Sequence, residues 1–237
     1  MVRGDDSVEV LLATADAAIV MSNDGAMSIA TGNGVLKAHL GTAFIRLKSL
    51  DRGDGDPLIR AGEIVPGDHV IDTTFGLGRD AVVAACAVGP QGSVTALESS
   101  RPLYYLGRHG VTTGPLSPAA LTVLGDNLKS TQIRITHGDA VRWLSNAEDG
   151  SADIVLVDPM FETPKTSDTG FELLRSLAAD TGLTKEWIEQ ACRVARRWVV
   201  IKTGSAPGWF ESMGAERVHS HSNATWWRIR GSGQGRS

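Results

Sequence analysis

The chain is short of several things, and each shortage narrows its chemistry. It has two cysteines in 237 residues, Cys86 and Cys192. Both sit in alanine-rich helical patterns, outside any CxxC or Cys/His spacing, so a disulfide framework and a zinc site are both excluded from the expectation. Their small apolar surroundings predict structural thiols in a reducing compartment. No run approaches the roughly 18 to 20 apolar residues that a membrane span requires, and the N-terminus places acids ahead of a short apolar stretch, so the chain is expected to be cytoplasmic and away from membranes. An excess of basic residues is also missing: the net charge is −4, which argues against gripping nucleic acid by bulk charge alone. "RHG" at 108–110 and "HSH" at 219–221 pair with no Cys or acid cluster, and no metal is expected.

What is present is an α/β rhythm. With 42% hydrophobic residues the chain has ample material for a core. From residue 69 onward, apolar runs ("HVIDTTF", "SVTALES", "IRITHGD", "ADIVLVDP", "WVVIKTG") alternate with helical stretches, among them "PAALTVLGDNLKS" and "KEWIEQACRVARR". That alternation predicts a doubly wound, mostly parallel sheet covered on both faces. Near the end, "AERVHSHS" and "ATWWRIRG" follow one another without a helix and read as an antiparallel hairpin across Ser222 and Asn223, giving seven strands in all. Residues 1–57 are expected to form an N-terminal extension or small subdomain, 58–230 the main domain, and 231–237 a disordered Gly/Ser tail. Within the extension, "VEVLLATADAAIVM" suggests one or two short strands and "AFIRLKSL" an exposed strand by its alternation. "DPLIRAGEI" has the Asp-Pro start of a helix.

Chemistry gathers at the ends of the strands. "HVIDTTFGLGRDAVVAAC" runs strand, glycine loop, helix. Gly76 and Gly78 allow a tight turn and close approach of a ligand, and the helix N-terminus offers free N–H groups. With Ala81 these glycines also satisfy a dinucleotide fingerprint, and Glu98 lies about 20 residues on, so a nicotinamide enzyme or a non-catalytic nucleotide-binding module is a competing reading. Asp72 tilts the choice, because a carboxylate at the end of the first strand repels a pyrophosphate. It suits S-adenosyl-L-methionine, which carries an ammonium and a sulfonium cation and no phosphate. Asp72 is then expected to meet the ligand's ammonium, Glu98 its ribose hydroxyls, and Asp139 its adenine amino group. Thr74, Arg79 and Asp80 in the loop, and Ala140 after Asp139, complete the predicted cofactor set. A lone acid after a strand is ordinarily a cap, but acids at 72, 98, 139 and 158 all end strands, where open α/β sheets bind ligands.

The aliphatic run "ADIVLV" ends in Asp158, Pro159, Met160 and Phe161. Together, "DTTFGLGRDAVV" and "VDPMF" resemble class I S-adenosylmethionine-dependent methyltransferases. The resemblance is strongest to the small-subunit ribosomal RNA guanine-N2 methyltransferases and spans about residues 56–204. "FIRLKSLDRGDGDPLIRA" is similar to a related bacterial branch. The resemblance implies methyl transfer to a planar exocyclic amine, with Asp158 and the Pro159 carbonyl accepting its N–H groups and Phe161 stacking on the base. The acceptor is expected to be a guanine in ribosomal RNA, with another amine, of a small molecule or a protein amide, as the alternative. Met160, Lys165 in "FETPKTS", Lys202 ending "WVVIKTG", and Arg46 and Lys48 are weaker candidates for substrate contact. Lys37, Arg46, Lys48 and Arg52 outnumber Asp51 between residues 34 and 52, and such a basic stretch either holds RNA backbone or is a soluble edge.

Overall fold

The apolar runs become strands because their neighbours on both sides are apolar too. In the computed structural model, which describes residues 7–113, 132–159, 169–178, 182–220 and 224–233, the main sheet contains β4 (His69–Asp72), β5 (Ser93–Glu98), β6 (Gln132–His137), β7 (Ala152–Val157), β8 (Ala195–Thr203), β9 (Glu216–Ser220) and β10 (Thr225–Arg230). Their spatial order is β6-β5-β4-β7-β8-β10-β9. The strands from β6 across to β8 pair in parallel, and β10 runs antiparallel between β8 and β9. This is the doubly wound sheet with a terminal hairpin that the sequence predicts; the hairpin's connection, at Ser222 and Asn223, lies outside the described residues.

Alternation along the strands splits the core in two. Val70, Val94, Ile154, Leu156 and Val200 point to one face, where they meet α2 (Gly41–Asp51), α3 (Pro57–Gly62) and α4 (Arg79–Val88). Ile71, Leu97, Val155, Val157, Val199 and Ile201 point to the other, toward α6 (Ala140–Asn146) and α8 (Lys185–Val194). Trp187, Ile188, Ala191 and Val194 all lie on the buried side of α8, as their i, i+3 and i+4 spacing predicts. Trp226 and Trp227 divide between the two faces. Cys86 and Cys192 are half-buried against these clusters, and burial pushes their thiols up to about 11 and about 12, well above any reactive range.

The N-terminal segment supplies one of the one or two short strands expected of "VEVLLATADAAIVM", and its start is helical. Residues 8–12 form α1 (Val8–Leu12), capped by Ser7, and only Ala17–Met21 becomes a strand, β1. With β2 (Met27–Thr31) and β3 (Gly34–Lys37) it makes a separate antiparallel meander. Its Ile29 and Leu36 pack with Leu103 and Leu106 of α5 (Arg101–Thr112) and Leu173 of α7 (Thr169–Leu177). "AFIRLKSL" is a correction: it lies in the helix α2, and not in a strand. The four-residue alternation Ile45–Lys48 is outweighed by Leu40, Ala43, Leu47 and Leu50, whose spacing puts them on one helical face in the core. Ile45, the residue that suggested a strand, is left 66% exposed. The Asp-Pro start does begin a helix: Asp56 caps α3, accepting from the Leu58 N–H at 2.9 Å.

At the other end, Gly231, Ser232 and Gly233, assigned to the tail from composition, donate backbone hydrogen bonds to Arg197, Cys192 and Ala195. They close against α8 and β8.

Candidate active site

The strand order reverses between β4 and β7, so the chain leaves a crevice at their carboxyl ends. Two cavities occupy it. The first, about 420 Å³, is lined by Thr73, Thr74, Gly76, Glu98, Asp139 and Ala140, together with Leu103 and the N-terminal turn of α8 at Thr184, Glu186 and Trp187. The second, about 460 Å³, is lined by Thr42, Arg46, Asp56, Phe75, Leu77, Arg79, Asp80, Lys202 and Trp226. Thr74, Gly76, Asp158, Pro159 and Leu174 border both. Asp158 and Pro159 thus stand on a partition between two chambers.

The first chamber is built by the glycine loop. Thr73 and Phe75 hydrogen-bond to the carbonyls of Leu156 in β7 and Leu97 in β5, which stitches the loop across the switch point. Gly76 and Gly78 both have positive φ, at 52° and 81°. A Cβ on Gly78 would lie 2.7 Å from Val111 and 2.8 Å from the Phe75 ring, so both conformation and space require glycine there. Gly107 of α5 does similar work, since its Cβ would come within 2.3 Å of the Gly76 carbonyl. Sequence reasoning passed over Gly107; the only signal is a glycine in mid-helix, in "YYLGRHG".

The acids of this chamber are held by backbone N–H groups. Glu98 is 8% exposed, and its two oxygens accept from Gly76 and Ser100 N–H, each at 2.8 Å. Burial raises its pKa and these bonds oppose the rise. Asp72 is 1% exposed beneath the loop. Its Oδ1 accepts from the Thr74 N–H at 3.0 Å and the Thr74 hydroxyl at 3.3 Å, while its Oδ2 is buried with no hydrogen-bond partner among the described residues. Burial, reinforced by the charge of Asp80, pushes the carboxyl up to about 7. Asp139 caps α6 through the Arg142 N–H at 2.8 Å and stays exposed at the chamber's rim.

The acids of the second chamber are held by cations. Arg46 makes a fork to Asp56, Nε to Oδ2 at 2.7 Å and Nη2 to Oδ1 at 2.9 Å, and its Nη1 bonds Asp80. Lys202 Nζ bonds Asp158 Oδ2 at 2.5 Å and lies 5.4 Å from the Trp226 ring centroid. Asp158 donates its backbone N–H to the Thr74 hydroxyl at 2.8 Å, which ties it to Asp72. Burial raises the pKa of Asp158, Lys202 lowers it, and Asp80 adds to the rise. Asp80 is held below the ordinary carboxylate range: burial acts upward, but the charges of Lys202 and Arg46 prevail.

Against the predicted set, the structure brings Thr74, Gly76, Glu98, Asp139 and Ala140 to the first chamber, with Asp72 beneath. Arg79 and Asp80 line the second chamber instead. Lys202 and Arg46 reach it too, whereas Lys48 is exposed on the surface of α2. Met160, Phe161 and Lys165 lie outside the described residues, as does "PAALTVLGDNLKS". Thr42, Asp56 and Trp226 were not expected in the site, nor was the start of α8. Among the described residues no group of three or more His, Cys, Asp or Glu side chains is placed to hold a metal, and no helix is long and apolar enough to cross a membrane.

The first chamber fits a ligand with a cation and paired hydroxyls. A buried carboxylate oxygen, Asp72 Oδ2, lacks a donor among the described residues, and Glu98, which lines the chamber, is already oriented by two N–H bonds.

A family model described as "Putative SAM-dependent methyltransferase" matches residues 16–223. The Bacillus subtilis protein YpiP is 32% identical over 90% of this chain and 81% of its own length. Two proteins named "Ribosomal RNA small subunit methyltransferase J" are also similar. That of Laribacter hongkongensis is 32% identical over 69% of this chain, and that of Nitrosococcus oceani 33% over 64%. The matches span 57% and 59% of those two proteins' lengths. Among solved structures, a SAM-dependent methyltransferase from Neisseria gonorrhoeae shares the fold, with TM-score 0.60 at 18% identity over 93% of this chain and 85% of that one. The chain therefore belongs to the SAM-dependent methyltransferase family, with the class I fold and S-adenosyl-L-methionine as its cofactor.

Proposed function

We propose that the protein transfers a methyl group to the exocyclic amino group of a guanine in ribosomal RNA, a substrate that implies work in the cytoplasm. The observation that carries this reading is the partition: Asp158 and Pro159 border both chambers, so one side can hold the cofactor while the other holds a flat acceptor. The names of the ribosomal RNA methyltransferase relatives support the choice of RNA.

Residues 58–230 form the catalytic domain in this reading, and α2 of the N-terminal segment contributes a wall of the acceptor chamber. Asp72, Thr74, Gly76, Gly78, Glu98, Asp139 and Ala140 hold the cofactor, with Asp72 facing its ammonium and Glu98 its ribose. When bound, S-adenosylmethionine supplies an electrophilic methyl group. A guanine amino nitrogen is a poor nucleophile because its lone pair is spread into the ring. The Asp158 carboxylate and the Pro159 carbonyl accept its two N–H bonds, which fixes the nitrogen and favours a localised lone pair. As the nitrogen gains its methyl group, positive charge develops on it, and the carboxylate stabilises that charge until one N–H proton departs to Asp158 or to solvent. Phe161 stacks on the base by the family resemblance, contributing about 1 to 3 kcal/mol.

A free amine or protein amide is the second reading, favoured by the commitment of Arg46 to Asp56 and Asp80 rather than to a phosphate. To decide, the protein is incubated with methyl-labelled S-adenosylmethionine and ribosomal RNA from a strain lacking the gene, and the digested nucleosides are weighed by mass spectrometry. Labelled N2-methylguanosine is expected. RNA that stays unlabelled, as naked RNA and as assembled subunit, overturns the proposal.

A further inference from the structure

We propose that Lys202 is a positioning residue: it fixes Asp158 as an anion, occupying Oδ2 and leaving Oδ1 for the acceptor's N–H. This rests on the reading of Asp158 as the acceptor's hydrogen-bond partner, and it adds a residue whose task is to keep that partner an acceptor.

The need for such a residue follows from the surroundings of Asp158. Its side chain is 26% exposed, and carboxylates approach it from two other elements, Asp80 from α4 and Asp72 at the end of β4. Asp80 acts to keep Asp158 protonated, as burial does, while Asp158 in turn raises the pKa of Asp72. A protonated carboxyl turns one of its oxygens into an O–H donor and loses acceptor capacity that the amine requires. Two cations oppose this. Arg46 from α2 is one, but its Nε and both Nη atoms are engaged by Asp56 and Asp80. Lys202 from β8 is the other, and it bonds Asp158 directly. Its stem is fixed by pairing: Lys202 lies opposite Trp226 in the β8–β10 ladder, with the indole ring 5.4 Å from Nζ. No hydrogen bond to Asp158 Oδ1 is present among the described residues, so the pairing leaves that oxygen available. Of the influences that lower the pKa of Asp158, the charge of Lys202 is the largest.

The test reads the carboxyl itself and needs no acceptor. With 13C-carboxyl-labelled aspartate, the Asp158 resonance is assigned by its loss in Asp158→Asn and followed against pH. In Lys202→Met the midpoint is expected to rise by about one pH unit or more relative to the parent, the effect of deleting a cation in direct contact. In Lys202→Arg it should stay near the parent value. The acidic limb of turnover should move with the midpoint, while S-adenosylmethionine affinity by calorimetry stays unchanged. An unmoved midpoint in Lys202→Met overturns the inference. If that variant does not fold, the parent decides: the Lys202 Nζ resonance must shift in step with Asp158 and lose that step in Asp158→Asn, and an independent Nζ titration overturns the inference. Because the titration is read without RNA, a failure here is distinct from a failure to methylate RNA.

Discussion

The two chambers hold their carboxylates by different means. In the first chamber, Glu98, Asp72 and Asp139 accept from backbone N–H groups only two to 22 residues away in sequence. In the second chamber, Asp56, Asp80 and Asp158 rest on Arg46 and Lys202, across separations of 10, 34 and 44 residues. A backbone N–H is a fixed neutral donor, so it orients an acid without deciding its charge state to the degree a cation does. The acids of the first chamber are therefore oriented largely by nearby backbone, and those of the second by side chains that only the assembled fold brings together.

Breaking the second chamber should cost most. Asp158→Ala is expected to lower turnover by about 10²- to 10⁴-fold, the range for a group that manages protons at the reacting atom, with S-adenosylmethionine affinity retained. Single-turnover kinetics beside calorimetry reads both, and unchanged turnover would remove Asp158 from the chemistry. Arg46→Met comes next. It leaves Asp56, 2% exposed, and Asp80 without their shared cation, and deleting one partner of a buried ion pair costs about 3 to 5 kcal/mol. Denaturant unfolding should show a loss near the lower end of that range, since the Arg46 side chain is itself 23% exposed. A neutral result would mean that the acids carry their own stabilisation. Gly78→Val sharpens the contrast from the other side. It forces a β-branched residue to φ 81° and against Val111 and Phe75, with overpacking worth about 1 to 3 kcal/mol. Weakened cofactor binding is expected to exceed any change in how bound substrate turns over; normal affinity would show that the loop does not shape the first chamber.

This contrast also explains what could be read in advance. The main sheet was legible because "ADIVLV" and "WVVIKT" are apolar on both faces, a pattern that fits only a strand buried on two sides. The glycine loop was legible because its φ requirements and its acids lie within one continuous stretch. The fate of Arg46 was not, because nothing near it in sequence announces Asp80, and its neighbours Ile45 to Lys48 alternate like an exposed strand while the wider spacing of Leu40, Ala43, Leu47 and Leu50 makes a helix. The alternation of Trp226 and Trp227 puts them on opposite sheet faces, but which of them reaches a chamber depends on the side of β8 that the hairpin joins. Gly107 was invisible for the same reason: its value lies in the approach of α5 to Gly76, a distance between segments.

Asp56 shows how far such sharing goes. One carboxylate both starts a helix, through the Leu58 N–H, and aligns the guanidinium of Arg46. A mutational survey would rank this position beside the reacting residues although its oxygens are spent on architecture. Inactive variants there would need a folding assay before they could be scored as chemical lesions.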